Sequence, residues 1–251
     1  MLITIVQTGE VPAPLRSEFG PYAKMFERMF DSTGFDFNYQ VVTVDDNSLL
    51  PDPSRLEAIV ITGSPAGVYE DHAWLPPLRD FIRGAYAAKT PMLGICFGHQ
   101  IMADALGGDV QKSGKGWGLG RHTYRVLGRP DFMDNAPETV SVACSHQDQV
   151  LVPPADAEVI LASDFTPNAG LFYKSGKALS FQHTPNFSTI THLPSSTCAA
   201  ARRRMPLSKT AFRRSRKALI AKEFLSISPG SSWKIRAFES VKLLINQDQS
   251  R

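Results

Sequence analysis

The chain has 251 residues, of which 43% are hydrophobic, and this is typical of one large globular domain. No apolar run approaches the roughly 18 residues of a transmembrane helix, and the N-terminus lacks the features of a signal peptide, so we expect a cytoplasmic protein without a membrane anchor. The net charge of +3 averages two different segments. Residues 1–182 are acidic, with 14 Lys and Arg against 21 Asp and Glu. Residues 183–251 are basic, with 13 Lys and Arg against 3 Asp and Glu.

Apolar patterning predicts alternating strands and helices as far as residue 106. The predicted strands are Leu2–Thr8, Phe37–Val44, Ala58–Thr62 and Pro91–Ile95, and the predicted helices are Leu15–Phe30, Trp74–Ala88 and Gly98–Leu106. This alternation predicts an α/β fold with a doubly wound, mostly parallel sheet flanked by helices. In such folds the active site lies at the carboxyl ends of the strands.

From Val110 onwards the pattern changes to short strands separated by turns. The candidates are Trp117–Val126, Thr139–Cys144, Val159–Ala162, Gly170–Tyr173 and Ala178–Gln182. There is no P-loop and no dinucleotide fingerprint. The cysteines and histidines do not have the spacing of metal ligands. We therefore expect neither a cofactor nor a metal.

A predicted strand that runs into Gly94-Ile95-Cys96-Phe97-Gly98, followed at once by a helix, carries the strongest functional signal. It has the form of a nucleophile elbow with cysteine in place of serine, in which two glycines remove Cβ atoms that would clash. The Phe97 N–H then points to where an oxyanion forms, and the helix N-terminus favours the reactive thiolate. Packing alone, the structural alternative for Cys96, does not explain the turn.

The elbow and three further segments resemble class I glutamine amidotransferase domains, such as the glutaminase part of GMP synthase. Ile61-Thr62-Gly63-Ser64-Pro65 is similar to the family's glycine-rich oxyanion strand end, where the Ser64 amide joins that of Phe97. Gln100 stands where the family's glutamine holds the amino-acid end of the substrate. Ser145-His146-Gln147-Asp148-Gln149-Val150 matches Ser-His-x-Asp-x-Val, whose backbone groups and Asp bind the α-amino and α-carboxylate groups. Taken alone, His146 is also compatible with a structural role.

The resemblance covers residues 1–182 and implies a flavodoxin-like fold and a glutaminase reaction. Cys96 would attack the side-chain amide of glutamine, giving a γ-glutamyl thioester and ammonia, with Ser64, Phe97, Gln100, Ser145, His146 and Asp148 at the substrate. Lys115-Gly116-Trp117-Gly118 resembles a subgroup of stand-alone members. Because the chain contains no synthetase segment, the resemblance implies a separate synthetase partner that accepts the ammonia.

The sequence departs from the family where the base and its carboxylate are expected. The family motif is Phe-Gln-Gly-His-Pro-Glu-Phe, whereas this chain has Phe181-Gln182-His183-Thr184-Pro185-Asn186-Phe187. Thr184 and Asn186 occupy the base and carboxylate positions, and neither side chain can perform that role near neutral pH. His183, one residue early, is the candidate substitute base, although a shift of one residue in an extended segment turns a side chain to the other face.

The codons suggest a cause for this departure. His183 to Phe187 is encoded as CAY ACN CCN AAY TTY, and reading two bases later allows His-Pro-Glu-Phe. We therefore interpret residues 183–251 as an atypical basic tail, an out-of-frame replacement of the domain's C-terminal end; a genuine divergent tail is the alternative. Sequencing the gene across codons 180–190 tests this hypothesis, because a missing or extra base there would restore the motif, whereas a confirmed frame would contradict it.

Four functions stay open at the level of sequence. The leading one is a glutaminase with doubtful activity, because the His-x-Glu motif is missing. A γ-glutamyl hydrolase shares the elbow, and an inactive amidotransferase-like chain would bind glutamine without turnover. The basic tail would allow a nucleic-acid binder, but an out-of-frame origin explains its charge, so we expect no nucleic-acid partner.

Overall fold

The computed structural model describes residues 1–183, apart from residues 12, 14–15, 18–19, 46–48, 131–132 and 134–135. The expectations for Thr184, Asn186 and the rest of the basic tail therefore lie outside the described residues. No helix in the described part is long and apolar enough to cross a membrane.

Strands and helices alternate in the first part of the chain, and short strands follow. The first part comprises β1 (Leu2–Gln7), α1 (Tyr22–Asp31), β2 (Asn38–Thr43), a 3₁₀ turn (Pro53–Arg55), β3 (Ala58–Ile61), α2 (Leu75–Ala87), β4 (Met92–Ile95) and α3 (Phe97–Ala105). The second part comprises β5 (Asp109–Lys112), β6 (Gly118–Val126), β7 (Thr139–His146), β8 (Asp148–Val152), β9 (Ala157–Ala162), β10 (Gly170–Tyr173) and β11 (Ala178–Phe181). The predicted α/β alternation is confirmed.

Nine of the described strands form one sheet in the order β2-β1-β3-β4-β11-β10-β9-β6-β7. Pairing is parallel from β2 to β11 and antiparallel from β11 to β7. The last strand of the described residues, β11, pairs in register with β4, with Phe181 opposite Ile95. The residues that follow these two strands, Cys96 and Gln182, therefore leave the sheet side by side at its carboxyl edge.

Side chains on the central strands alternate between two buried clusters, as expected for strands covered on both faces. On one face, Ile3 and Ile5 pack with Phe26 and Phe30 of α1. On the other face, strand residues such as Ile61 pack with α2 and α3 through Leu78, Ile82, Ile101 and Met102. The helix that follows Cys96 is thereby fixed against the sheet along its length.

Two details differ from the sequence-based expectations. The predicted helix Leu15–Phe30 is interrupted at Gly20 and Pro21, because Gly20 adopts a left-handed φ of 70° and Pro21 has no N–H; α1 begins at Tyr22. In addition, β5 and β8 pair as a separate two-stranded antiparallel sheet that the sequence analysis did not predict. Both are short and carry polar residues, so neither gives a clear apolar strand pattern.

Candidate active site

Cys96 occupies a strained turn between β4 and α3. Its φ of 56° and ψ of −105° are unusual for a non-glycine residue, and conformations of this kind cost about 1–3 kcal/mol. Backbone hydrogen bonds hold it in place: the Cys96 N–H donates to the Phe181 carbonyl at 2.8 Å, and the Gln100 N–H donates to the Cys96 carbonyl at 3.1 Å. The fold therefore presents the thiol at the carboxyl edge of the sheet, as an elbow nucleophile requires.

The two glycines of the elbow are required by close backbone approaches. A Cβ on Gly98 would lie 2.2 Å from the carbonyl oxygen of Ile61, and a Cβ on Gly94 would lie 2.5 Å from that of Gly98. The Gly98 N–H also donates to the Thr62 carbonyl at 3.0 Å, which ties the elbow to the end of β3. The expected steric need for both glycines is confirmed.

Burial dominates the electrostatics of the Cys96 thiol. Desolvation raises the pKa of the thiol to about 11, although a backbone hydrogen bond from Phe97 favours the thiolate; the charge of Asp148 raises the pKa further. The residue as a whole is partly exposed, although its sulfur is largely desolvated. The N-terminus of α3 was expected to favour the thiolate, but burial of the thiol outweighs that effect. The thiol therefore needs a base to become a nucleophile at neutral pH.

The rate of alkylation of Cys96 should therefore rise steeply with pH. Only the thiolate reacts, and it forms above the pKa of about 11, so the rate should rise roughly tenfold per unit between pH 7 and 10. Iodoacetamide labelling, followed by mass spectrometry of the peptide that contains Cys96, measures the rate. Glutathione is the control, because its rate should level off near pH 9. A plateau for Cys96 below pH 9 would contradict the raised pKa.

The oxyanion candidates Ser64 and Phe97 lie on either side of the elbow. Gly63, next to Ser64, faces Cys96: a Cβ on Gly63 would lie 3.7 Å from that of Cys96. The Ser64 hydroxyl accepts a hydrogen bond from the Ala66 N–H at 3.2 Å, which shapes this turn. The Phe97 N–H points at the Cys96 sulfur. The buried ring of Phe97 packs edge-on against Trp74. The Phe97 amide therefore lies beside the thiol, and the role of the Ser64 amide stays a prediction.

Two of the predicted substrate-binding residues donate hydrogen bonds to the backbone carbonyl of Asp148. The buried Gln100 donates from Nε2 to the Asp148 carbonyl at 2.9 Å, and His146 donates from Nδ1 to the same carbonyl at 3.2 Å. Ser145 lies next to His146 at the end of β7, with its side chain exposed. The Asp148 carboxylate accepts a hydrogen bond from the Tyr69 hydroxyl at 2.9 Å.

Buried groups around this cluster have unused hydrogen-bonding capacity. Gln100 Nε2 also donates to Gln182 Oε1 at 3.3 Å, but Gln182 Nε2 and His146 Nε2 are buried without partners among the described residues. Burial lowers the pKa of His146 to about 4, so its imidazole is neutral at physiological pH. Sequence reasoning did not single out Tyr69 or Gln182, although Gln182 stands within the Phe-Gln part of the base motif.

His183 lies beyond β11 in an aromatic environment. Its ring centroid is 5.2 Å from that of Phe181 and 5.8 Å from that of Tyr124. Its Nδ1 is buried, and none of the described residues provides a hydrogen-bond partner for it. Burial, followed by the proximity of His146, lowers the pKa of His183 to about 3. The imidazole is thus neutral but a weak base, and its role as a substitute base stays a prediction.

No three His, Cys, Asp or Glu side chains are grouped for metal binding in the described ranges. The reactive features here are a thiol at a strained turn, the Phe97 backbone amide beside it and a polar cluster around Asp148. This arrangement suits nucleophilic attack by the thiol on a carbonyl carbon.

Comparison with known proteins gives a consistent result. Residues 19–195 match the family model for class-I glutamine amidotransferases. The chain is 30% identical to γ-glutamyl peptidase 2 of Arabidopsis thaliana over 69% of this chain and 71% of that protein. It is 34% identical to GMP synthase of Aquifex aeolicus over 53% of this chain but only 24% of that enzyme.

A solved structure shares the fold. The crystal structure of a glutamine amidotransferase from Thermotoga maritima superposes with a TM-score of 0.62 and 22% identity, covering 73% of this chain and 75% of that one. At that level of identity the likeness supports the α/β architecture alone, and the family model supplies the assignment. This chain belongs to the class-I glutamine amidotransferase family.

Proposed function

We propose that this chain hydrolyses the side-chain amide of glutamine to glutamate and ammonia through a thioester on Cys96. The observation that carries the proposal is the strained conformation of Cys96, with φ 56° and ψ −105°, at the junction of β4 and α3. A buried structural cysteine has no need of such a turn. The polar cluster around Asp148 supplies groups suited to the amino-acid end of the substrate.

The chemistry proceeds in two stages. The Cys96 thiol gives its proton to a base, and the thiolate sulfur attacks the amide carbon of glutamine. The resulting oxyanion is stabilised by the backbone N–H groups of Phe97 and Ser64. The C–N bond then breaks, the nitrogen takes up the proton and leaves as ammonia, and a γ-glutamyl thioester remains. Water hydrolyses the thioester, releasing glutamate and restoring the thiol.

This scheme requires a base that accepts the proton of the Cys96 thiol, and the family's base residue is absent from this chain. Burial favours the protonated thiol of Cys96, and the family's base position holds Thr184, which cannot accept its proton near neutral pH. His183 is the candidate acceptor, but its lowered pKa makes proton transfer from the thiol unfavourable. The proposal therefore includes slow turnover as an intrinsic property of this chain.

A second candidate, hydrolysis of a γ-glutamyl peptide, is favoured by the share of a relative that the match covers. The match to γ-glutamyl peptidase 2 spans 71% of that protein, whereas the match to GMP synthase spans 24% of that enzyme. In this reaction the thioester forms in the same way, but the leaving group is the amine of an amino acid. If the chain instead releases ammonia, a separate synthetase partner would use it. The cytoplasmic location expected from the sequence would keep the free Cys96 thiol reduced.

Parallel assays with glutamine and a γ-glutamyl dipeptide distinguish these reactions. Ammonia and glutamate from glutamine, both lost in Cys96→Ala, would support the proposal. Cleavage of the dipeptide without ammonia from glutamine would favour the second candidate. Binding of glutamine with neither product would overturn hydrolysis and indicate a binding protein. Mass spectrometry of the Cys96 peptide after acid quenching would reveal a thioester that forms but does not turn over.

A further inference from the structure

A tyrosine outside the motifs bridges two separate parts of the candidate site. Tyr69 lies in the loop between β3 and α2, and its hydroxyl donates to Asp148 Oδ2 at 2.9 Å across 79 residues of sequence. Asp148 begins β8, whereas the loop of Tyr69 also carries Ser64. The contact therefore joins the oxyanion side of the site to the polar cluster around Asp148.

The path of the loop is built to accommodate this contact. A Cβ on Gly67 would lie 2.8 Å from Cζ and 3.1 Å from the hydroxyl oxygen of Tyr69, so the ring folds back directly over the glycine. Any larger residue at 67 would push the phenol away from Asp148. The absence of a side chain at Gly67 is thus a geometric condition for the Tyr69–Asp148 hydrogen bond.

The phenol leaves part of Asp148 available. Tyr69 occupies Oδ2, while the Asp148 backbone carbonyl is fixed by Gln100 and His146. Asp148 is thus held at its backbone carbonyl and at one carboxylate oxygen, and the Tyr69 hydroxyl engages Oδ2 and not Oδ1. Partial desolvation and the Asp148 carboxylate raise the pKa of the half-exposed Tyr69 to about 12, so the phenol keeps its proton and remains a donor at physiological pH.

We propose that Tyr69 is a positioning residue that holds the Asp148 carboxylate ready for the α-ammonium group of the substrate, so that the site selects γ-glutamyl compounds with a free α-amino group. The inference rests on the proposed function, because it assigns the α-amino group to Asp148. Without the phenol the carboxylate would have to be ordered at the moment of binding, which weakens the contact. Tyr69 itself does not touch the reacting amide.

The test measures binding and not turnover, so it does not depend on the base. In the Cys96→Ala background, calorimetry gives the Kd of glutamine and of glutaramate, which is glutamine without its α-amino group. Tyr69→Phe should weaken glutamine binding about five- to tenfold and leave glutaramate binding unchanged. Gly67→Ala should have the same selective effect, because the clash involves the end of a flexible side chain.

Tyr39→Phe is the matched control. The Tyr39 hydroxyl also donates to a carboxylate, Asp31 at 2.7 Å, but it lies on the edge strand β2, away from the site. The Tyr39→Phe variant should change neither the Kd of glutamine nor that of glutaramate. If Tyr69→Phe weakens both compounds equally, or neither, the inference is overturned while the proposed function stands. If the Cys96→Ala chain binds neither compound, the glutamine pocket and this inference both fail.

Discussion

Restoring the family's base motif should raise ammonia release from glutamine by about 10²–10⁴-fold, the usual contribution of a positioned general acid–base. The variant carries His183→Gly, Thr184→His and Asn186→Glu, which recreates the family's order of residues after Phe181-Gln182. The physical reason is the pKa of Cys96, about 11, which leaves the thiol protonated at neutral pH unless a base accepts its proton. A coupled assay for ammonia at pH 7.5 measures the change.

The single variants define what each position contributes. Thr184→His alone should recover part of the gain, and Asn186→Glu alone should recover almost none, because the carboxylate acts by orienting the imidazole. Adding Cys96→Ala to the triple variant should remove the gained activity. If the triple variant binds glutamine but is no faster than the unmodified chain, the missing base is not what limits turnover, and the slow-turnover proposal is wrong.

Gly98→Ala should destabilise the fold by about 3 kcal/mol, at the upper end of what overpacking in a core usually costs. The added Cβ would lie 2.2 Å from the carbonyl oxygen and 2.9 Å from the carbonyl carbon of Ile61. These are backbone atoms of the central strand β3, so no side-chain rotation can relieve the clash. The shift in the urea midpoint gives the change in the free energy of unfolding.

Gly114→Ala is the matched control for this experiment. Gly114 has nothing within 4 Å of its added Cβ and no left-handed φ, so the change in stability should stay within about 0.5 kcal/mol. If Gly98→Ala is as stable as Gly114→Ala, α3 can move away from β3 without cost. The close approach between the elbow and β3 would then not hold the nucleophile in place.

The fold and the elbow were predictable because their signals are local. Buried strands such as Ala58–Ile61 form short apolar runs. The Gly-x-Cys-x-Gly turn contains, within five residues, the glycines that its tight geometry requires. The β5–β8 pair was missed because Asp109–Lys112 is short and polar. The contact between Tyr69 and Asp148 joins residues 79 apart, so no window of sequence contains both partners.

The electrostatics of the site were harder to predict than its geometry. The sequence analysis expected the N-terminus of α3 to favour the Cys96 thiolate, but the burial that raises the thiol's pKa depends on which distant segments cover the sulfur. The aromatic neighbours of His183 illustrate the same limit. Phe181 is local, but Tyr124 comes from β6, and only the three-dimensional fold brings its ring to 5.8 Å from the imidazole.

The position of β11 in the sheet has a consequence for synthesis of the chain. This last described strand enters the middle of the sheet, between β4 and β10, and its Phe181 carbonyl accepts the hydrogen bond of the Cys96 N–H. During translation, the elbow sequence therefore leaves the ribosome about 85 residues before the strand that completes it. We expect a nascent chain that ends before β11 to lack the strained turn, so that the reactive centre is assembled only after β11 has entered the sheet.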